Sequence, residues 1–390
     1  MDIRKIRKDI VDCDEKIFVN SAGSSLMPHS VVKIIKNYIE EEEKLGGYKV
    51  EELRQDEISD LYFQAARLIG AKASNIAFAH DATDAYIKAL ASIPFKEGDV
   101  LITSENDYAS NQIQFVSLSK RLGIRILRMK TLENGDLDIS DFQDLVKKYT
   151  PKLVAVTHVP TNSGLVQDVV TIGKICKEKD ILFLVDACQS LGQLEVKVEK
   201  INCDFLTTTG RKFLRGPRGT GFLYVSDKVL EKGLYPLFID GCGATWTHTD
   251  HFEVHPRAKR FETWEAPYAM VVGFREALRY ANEIGIDNIS IYNRKLMAYF
   301  REKLSALPGV QLFDKGSEKC NILTFRKQNR TLEQTQKGFE DNQVLYNISK
   351  RQWGVIDFDR KGVDWVVRLS PHYFNTPEEM DRLVEIIDKI

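Results

Sequence analysis

Asp186 and Lys212 are the residues of this 390-residue chain whose types and placing point most directly to chemistry. Asp186 closes the apolar run ILFLV, and Lys212 stands in TTTGRKFLRGPRGTG, just past a second apolar run. A lysine amine can hold an aldehyde cofactor as a Schiff base. A carboxylate can keep a ring nitrogen protonated, so that the ring draws electrons from a substrate Cα. Those are the two groups that pyridoxal phosphate needs. Taken alone, each has a plainer reading, the aspartate as a turn or cap residue and the lysine as part of a solvated basic loop. Their order along the chain favours the chemical one.

The elements around them must bring the two together. Ile181–Val185 reads as a buried parallel strand, which puts Asp186 at its carboxyl end, the edge where open α/β sheets bind ligands. Asp204–Thr209 is the next strand and carries Lys212 to the same edge. Upstream, the strand-like runs Ile76–Ala79, Val100–Thr103, Ile124–Arg128 and Leu153–Val159 alternate with helix-like stretches, one of them an Ala-rich helix from Thr83. That rhythm predicts βα units and a mostly parallel sheet. Gly219–Val225 follows its predecessor too closely for a crossover helix and is expected to be antiparallel. After about Ala266 the pattern changes to an amphipathic segment, Met270–Ile284, a strand in Asn321–Phe325, and a closing helix announced by Asn-Thr-Pro. The expected division is a large unit over 16–265 and a small α+β unit made of 1–15 and 266–390.

Composition narrows the function classes. A net charge of −1 gives no reason to expect nucleic acid or an anionic membrane as partner. No run reaches the eighteen or so apolar residues that a membrane span requires, and the charged amino terminus does not read as a signal core. The six cysteines form no CxxC pair and fit a reducing cytosol. Two histidines and a cysteine in Gly241–His251 are spaced poorly for a closed metal site, and no metal is expected.

A phosphate needs backbone N–H groups and hydroxyls, which a helix amino terminus supplies. HDATDAYIKAL offers one at Ala82 and Thr83, and Thr209 with Arg211 could close on the anion from the other side. GPRGTG is a weak signal, and neither a P-loop nor a strand-linked GxGxxG is present.

The ordered pair DACQ and TGRK, within a likeness running from FVNSAGSSLMP to VVRLSPHYFNTPEEMDRLVEII, resembles the class V aminotransferase family of fold type I pyridoxal phosphate enzymes. That group includes cysteine desulfurases, isopenicillin N epimerase and ergothioneine-type C–S lyases. The resemblance implies an α/β fold, with a mostly parallel seven-stranded sheet in a large domain beside a smaller α+β domain. It also implies a cytoplasmic homodimer acting on a small amino-acid substrate. Lys212 matches the Schiff-base lysine that also moves the Cα proton, Asp186 the partner of the ring nitrogen, and Gln189 the donor to the ring hydroxyl. Ala82, Thr83, Thr209 and Arg211 match the phosphate cage, while Tyr108 falls where desulfurases stack a histidine on the ring. Arg368 matches the arginine that grips the substrate carboxylate; its plainer reading is a strand arginine paired with Glu378 or Glu379. Thr161, on the loop THVPTNSG that also carries His158, and Tyr48, in the LGGY turn, are the further substrate-side candidates. Trp264 and Glu265 match residues that reach across a dimer interface, the plainer reading for Trp264 being packing at a hinge.

Desulfurases carry a nucleophilic cysteine shortly before the carboxylate-binding arginine, and no cysteine lies between Lys327 and Arg368 here. Cys320 reads as buried structure, and Cys188 as packed beneath the cofactor. That absence disfavours a desulfurase, and the NSAGSS opening, the LGGY turn (Leu45–Tyr48) and the RFETWEAPYA segment (Arg260–Ala269) resemble ergothioneine-type lyases. The resemblance implies a C–S β-lyase cleaving a cysteine-derived substrate or its sulfoxide to a thiol or sulfenate, a 2-oxo acid and ammonia. Aminotransferase, epimerase and a retired scaffold stay open beside it.

Overall fold

The computed structural model describes all 390 residues. Seven strands form the main sheet: β1 (Ile76–Ala79), β2 (Val100–Ser104), β3 (Arg125–Met129), β4 (Leu153–Thr157), β5 (Leu182–Asp186), β6 (Phe205–Thr209) and β7 (Gly221–Val225), in the spatial order β1-β7-β6-β5-β4-β2-β3. β7 runs antiparallel to both its neighbours, and every other pair is parallel. The five residues of β2, β4, β5 and β6 are all buried. That is why these strands read as unbroken apolar runs rather than alternating ones. β3, at the edge, departs from this with Arg125 exposed, and β7 carries the half-buried Tyr224.

A second sheet of four antiparallel strands, β8 (Val310–Leu312), β9 (Leu323–Lys327), β10 (Asn347–Lys350) and β11 (Trp365–Leu369), is ordered β8-β9-β11-β10. Arg368 on the central β11 is opposite Thr324 on one side and Asn347 on the other.

The helices that matter for the site are α1 (His29–Leu45), α2 (Gln55–Ile69), α3 (Ala82–Ala91), α4 (Ala109–Leu122), α5 (Tyr268–Ile284), α6 (Ile286–Ser305), α7 (Val355–Lys361) and α8 (Pro377–Lys389). Val271, Val272, Phe274 and Leu278 of α5 join the largest apolar core together with residues of α1 and α2. Gly285, at φ +84°, then turns the chain into α6, whose Leu296, Met297 and Phe300 pack on the small sheet. The Asn-Thr-Pro signal starts α8 as anticipated. Thr376 Oγ1 accepts from the Glu379 amide and Glu379 Oε2 accepts from the Thr376 amide, a reciprocal cap. Glu379 also pairs with Arg7 at 3.0 Å, tying the amino terminus to this end of the chain. No helix is long and apolar enough to cross a membrane.

Candidate functional site

β5 and β6 deliver Asp186 and Lys212 to one end of the sheet, and a cavity of about 280 Å³ opens there. Its wall includes Ala82, Thr83, Tyr108, Thr161, Asp186, Gln189, Thr209, Arg211 and Lys212, residues from five separate segments of the chain.

Lys212 is 8% exposed. Burial first, and the cations Arg211 and Arg368 next, push its ammonium below the usual lysine range against the opposing pull of Asp186. A depressed lysine is the form that can act as a free amine near neutral pH. Asp186 accepts from the Cys188 amide at 2.9 Å and from Asn111 Nδ2 at 3.1 Å, so the carboxylate is held from two sides.

α3 starts at Ala82 after β1, with Asp81 as its cap accepting from Asp84. The amides of Ala82 and Thr83 belong to the first turn, whose N–H groups have no partner inside the helix. Gly221 of β7 lets this end come close. A Cβ there would lie 2.3 Å from the Thr208 carbonyl oxygen and 3.4 Å from the Ala82 nitrogen. Thr209 Oγ1 donates to the Thr220 carbonyl at 3.3 Å, and Arg211 Nη1 donates to the carbonyl of Gly23. Through that bond the amino-terminal NSAGSS segment closes over the site, and Gln189 Nε2 reaches the Ala22 carbonyl at 3.1 Å from the other direction.

Arg368 is fully enclosed, and burial pushes it down to about 10, so it stays charged at neutral pH. It donates from Nη1 to the Thr161 carbonyl at 3.2 Å, while Nε has no partner. Glu379 is engaged with Arg7, Asn375 and Thr376, which leaves the pairing with Glu378 or Glu379 without support. An uncompensated buried charge costs on the order of several kcal/mol. A guanidinium can meet a carboxylate through two parallel bonds.

Tyr48 does not join these residues. Gly46, at φ +79°, ends α1 and turns the chain into a short helix, Gly47–Leu53, on which Tyr48 is 92% exposed. His158 faces a different cavity, beside Val166 and Asp168, where burial pushes its imidazole down to about 4. Trp264 is 65% exposed and is not packed at a hinge. Asn111, Thr157, Cys188 and Arg218 also line the cavity. Of these only Cys188 was singled out from the sequence. For Asn111 the sequence shows only that Asp107 and Asn111 in ENDYASN lie four apart across a helix start, and not that Asn111 meets Asp186.

The segment that precedes Arg368 is tied to the large sheet's loops. Asn162 Nδ2 donates to the Trp353 carbonyl at 2.7 Å, and Lys361 Nζ of α7 donates to the Asn162 carbonyl at 2.9 Å.

The donor set fits pyridoxal phosphate. It has a buried amine, a carboxylate at a strand end and an open helix amino terminus, and Arg368, which is not itself in the cavity wall, meets that wall through the Thr161 carbonyl. Lys212, Asp186, Tyr108 and Gln189 would hold the ring, and Ala82, Thr83, Thr209 and Arg211 the phosphate.

Comparison with known proteins bears on the reaction. The family model described as aminotransferase class-V matches residues 17–383. A probable cysteine desulfurase of Methanothermobacter thermautotrophicus is 27% identical, with the alignment covering 99% of this chain and 97% of that protein. One from Pyrococcus abyssi is 26% identical over 99% and 96%. The solved apo structure of the cysteine desulfurase from Thermococcus onnurineus NA1 superposes with a TM-score of 0.90 at 25% identity, covering 99% of this chain and 97% of that one.

These findings overturn the expected C–S β-lyase, because relatives matching over nearly the full chain are named cysteine desulfurases. The expectation rested on a missing cysteine and on the likeness of the LGGY and RFETWEAPYA segments to ergothioneine-type lyases. That cysteine determines where the sulfur goes after the C–S bond breaks, and says little about which substrate is bound. With its mostly parallel seven-stranded sheet, its fold type I architecture and a match spanning almost every residue, the chain belongs to the aminotransferase class-V family.

Proposed function

We propose that this enzyme binds pyridoxal phosphate and removes sulfur from L-cysteine, handing it to a thiol supplied by another molecule. The observation that carries the reading is buried Arg368, which has no carboxylate partner and whose charge acts on Lys212, a group fit to receive a carboxylate near an amine of depressed basicity.

When bound, the cofactor supplies an electron sink for the substrate Cα. Arg368 grips the carboxylate and so sets which Cα bond stands perpendicular to the ring. Lys212 carries protons to and from that carbon. Asp186 keeps the ring nitrogen protonated, and Tyr108 covers a ring face. Tyrosine cannot replace an imidazole as a near-neutral acid or base, so the proton traffic falls to Lys212.

The chain's own thiols are poorly suited to accept the sulfur. Burial pushes all six cysteines up, Cys188 in the cavity wall among them, and a raised thiol is protonated and weakly nucleophilic. The balanced reaction is therefore L-cysteine plus RSH to L-alanine plus RSSH. The Cβ–Sγ bond breaks, an S–S bond forms on the acceptor, and Cβ takes up a proton. With L-cysteine and excess dithiothreitol, alanine and sulfide are expected in equal amounts, with no pyruvate. Pyruvate and ammonia in place of alanine would contradict the reading.

The exposed apolar side chains Leu237, Phe238, Trp246, Phe252 and Trp264 support a homodimer. Sedimentation equilibrium is expected to give twice the chain mass, and a monomer at micromolar concentration would contradict this. Six unpaired cysteines support residence in a reducing cytosol. The turn at Gly285, where α5 leaves the large core, supports a division of the chain close to that residue.

A further inference from the structure

Beneath Asp186 lies a second buried carboxylate, Asp107, and one side chain bridges the two. Asn111 Nδ2 is 3.1 Å from Asp186 Oδ2 and 3.1 Å from Asp107 Oδ1. Asn111 is 2% exposed and Asp107 5% exposed, yet Asn111 still touches the cavity. Asp107 is well supplied with donors. Thr157 Oγ1, the Tyr108 amide at 2.6 Å and Asn111 meet Oδ1, while Thr103 Oγ1 at 3.2 Å and Gln112 Nε2 at 3.1 Å meet Oδ2. Behind Gln112, Arg128 donates to its Oε1 at 3.0 and 2.8 Å. A polar chain thus runs from a half-buried cation through Gln112, Asp107 and Asn111 to the carboxylate of the site.

Two carboxylates this close repel each other in a buried setting, and burial together with Asp186's charge pushes Asp107 up. The amide between them offsets that repulsion by donating to both. It also fixes the carboxylate plane, because the Cys188 amide holds Asp186 Oδ1 while Asn111 holds Oδ2. The same Asp107 accepts the Tyr108 amide, so one group sets the backbone that presents the ring-covering tyrosine. In a buried network, removing one member leaves the others unsatisfied.

We propose that Asn111, seated on Asp107, is a positioning residue that orients the Asp186 carboxylate toward the cofactor's ring nitrogen. This rests on pyridoxal phosphate occupying the cavity, as proposed above. Without Asn111 the carboxylate is held at Oδ1 alone and is free to turn away from the ring nitrogen.

The test uses Asn111→Leu, close in size and apolar, with Asp107→Asn as the second variant. A hydrogen bond to a charged group is worth about 1.5–3 kcal/mol, or about a tenfold to hundredfold change in an equilibrium. The visible absorbance band of the purified Asn111→Leu protein is expected to move to shorter wavelength, and cofactor to be lost on dialysis about tenfold faster. For L-cysteine, kcat should fall with KM changed by less than about threefold, since Arg368 is untouched. Asp107→Asn should shift the band in the same direction by less, and it decides the matter if Asn111→Leu does not fold. A band and cofactor retention equal to wild type in the folded variants would overturn the proposal. A wild-type protein that shows no such band and binds no added pyridoxal phosphate would instead overturn the cofactor reading itself.

Discussion

Lys212→Ala is expected to remove the visible absorbance of the loaded protein and to lower turnover by at least about 10⁴-fold, because one side chain performs two tasks. It holds the cofactor covalently, and it moves the Cα proton, a service that by itself contributes about 10²–10⁴-fold. The residue is enclosed, so the variant leaves a small cavity in place of a desolvated amine. Losing a buried group that burial already disfavours in its charged form should leave the thermal midpoint of cofactor-free protein little changed. Absorbance spectra, single-turnover assays and thermal melts of both proteins check this. A Lys212→Ala protein that kept both band and turnover would remove the central assignment.

For Arg368→Ala the expected loss falls on binding. Two charge-assisted bonds to a carboxylate are given up, each worth about 1.5–3 kcal/mol, so KM for L-cysteine should rise by at least about a hundredfold while the absorbance band stays in place. Arg368→Lys should restore little, because an ammonium cannot present two parallel donors. The stability effect runs the other way. An unpaired buried cation is costly, so the thermal midpoint of the Arg368→Ala protein should equal or exceed that of wild type. A structural arginine would give the opposite pair of results, unchanged kinetics and a lower midpoint.

Much of the fold was legible because of where its strands lie. β2, β4, β5 and β6 are buried on both faces, which writes them into the sequence as unbroken apolar runs, and Gly221–Val225 is antiparallel because only a short loop separates it from β6. The placement of Asp186 and Lys212 followed from the strand ends alone. Tyr48 lies outside the cavity, since Gly46, at positive φ, turns its helix toward solvent. Asn111 and Thr157 went unread for another reason. Their part in the site comes from β4, β5 and the start of α4 lying side by side, a tertiary proximity that local pattern cannot express. The reaction was misread because a missing cysteine between Lys327 and Arg368 was weighed as a change of chemistry. In the structure that stretch holds β10 and α7, with Lys361 bonded to the Asn162 carbonyl.

The most direct test of the central claim is peptide mass spectrometry after borohydride reduction of the protein loaded with pyridoxal phosphate, which fixes the cofactor to whichever amine holds it. The mass of the reduced pyridoxyl phosphate group is predicted on the peptide carrying Lys212 and on no other, in stoichiometric yield. A label spread over surface lysines, or absent from the Lys212 peptide, would contradict the account.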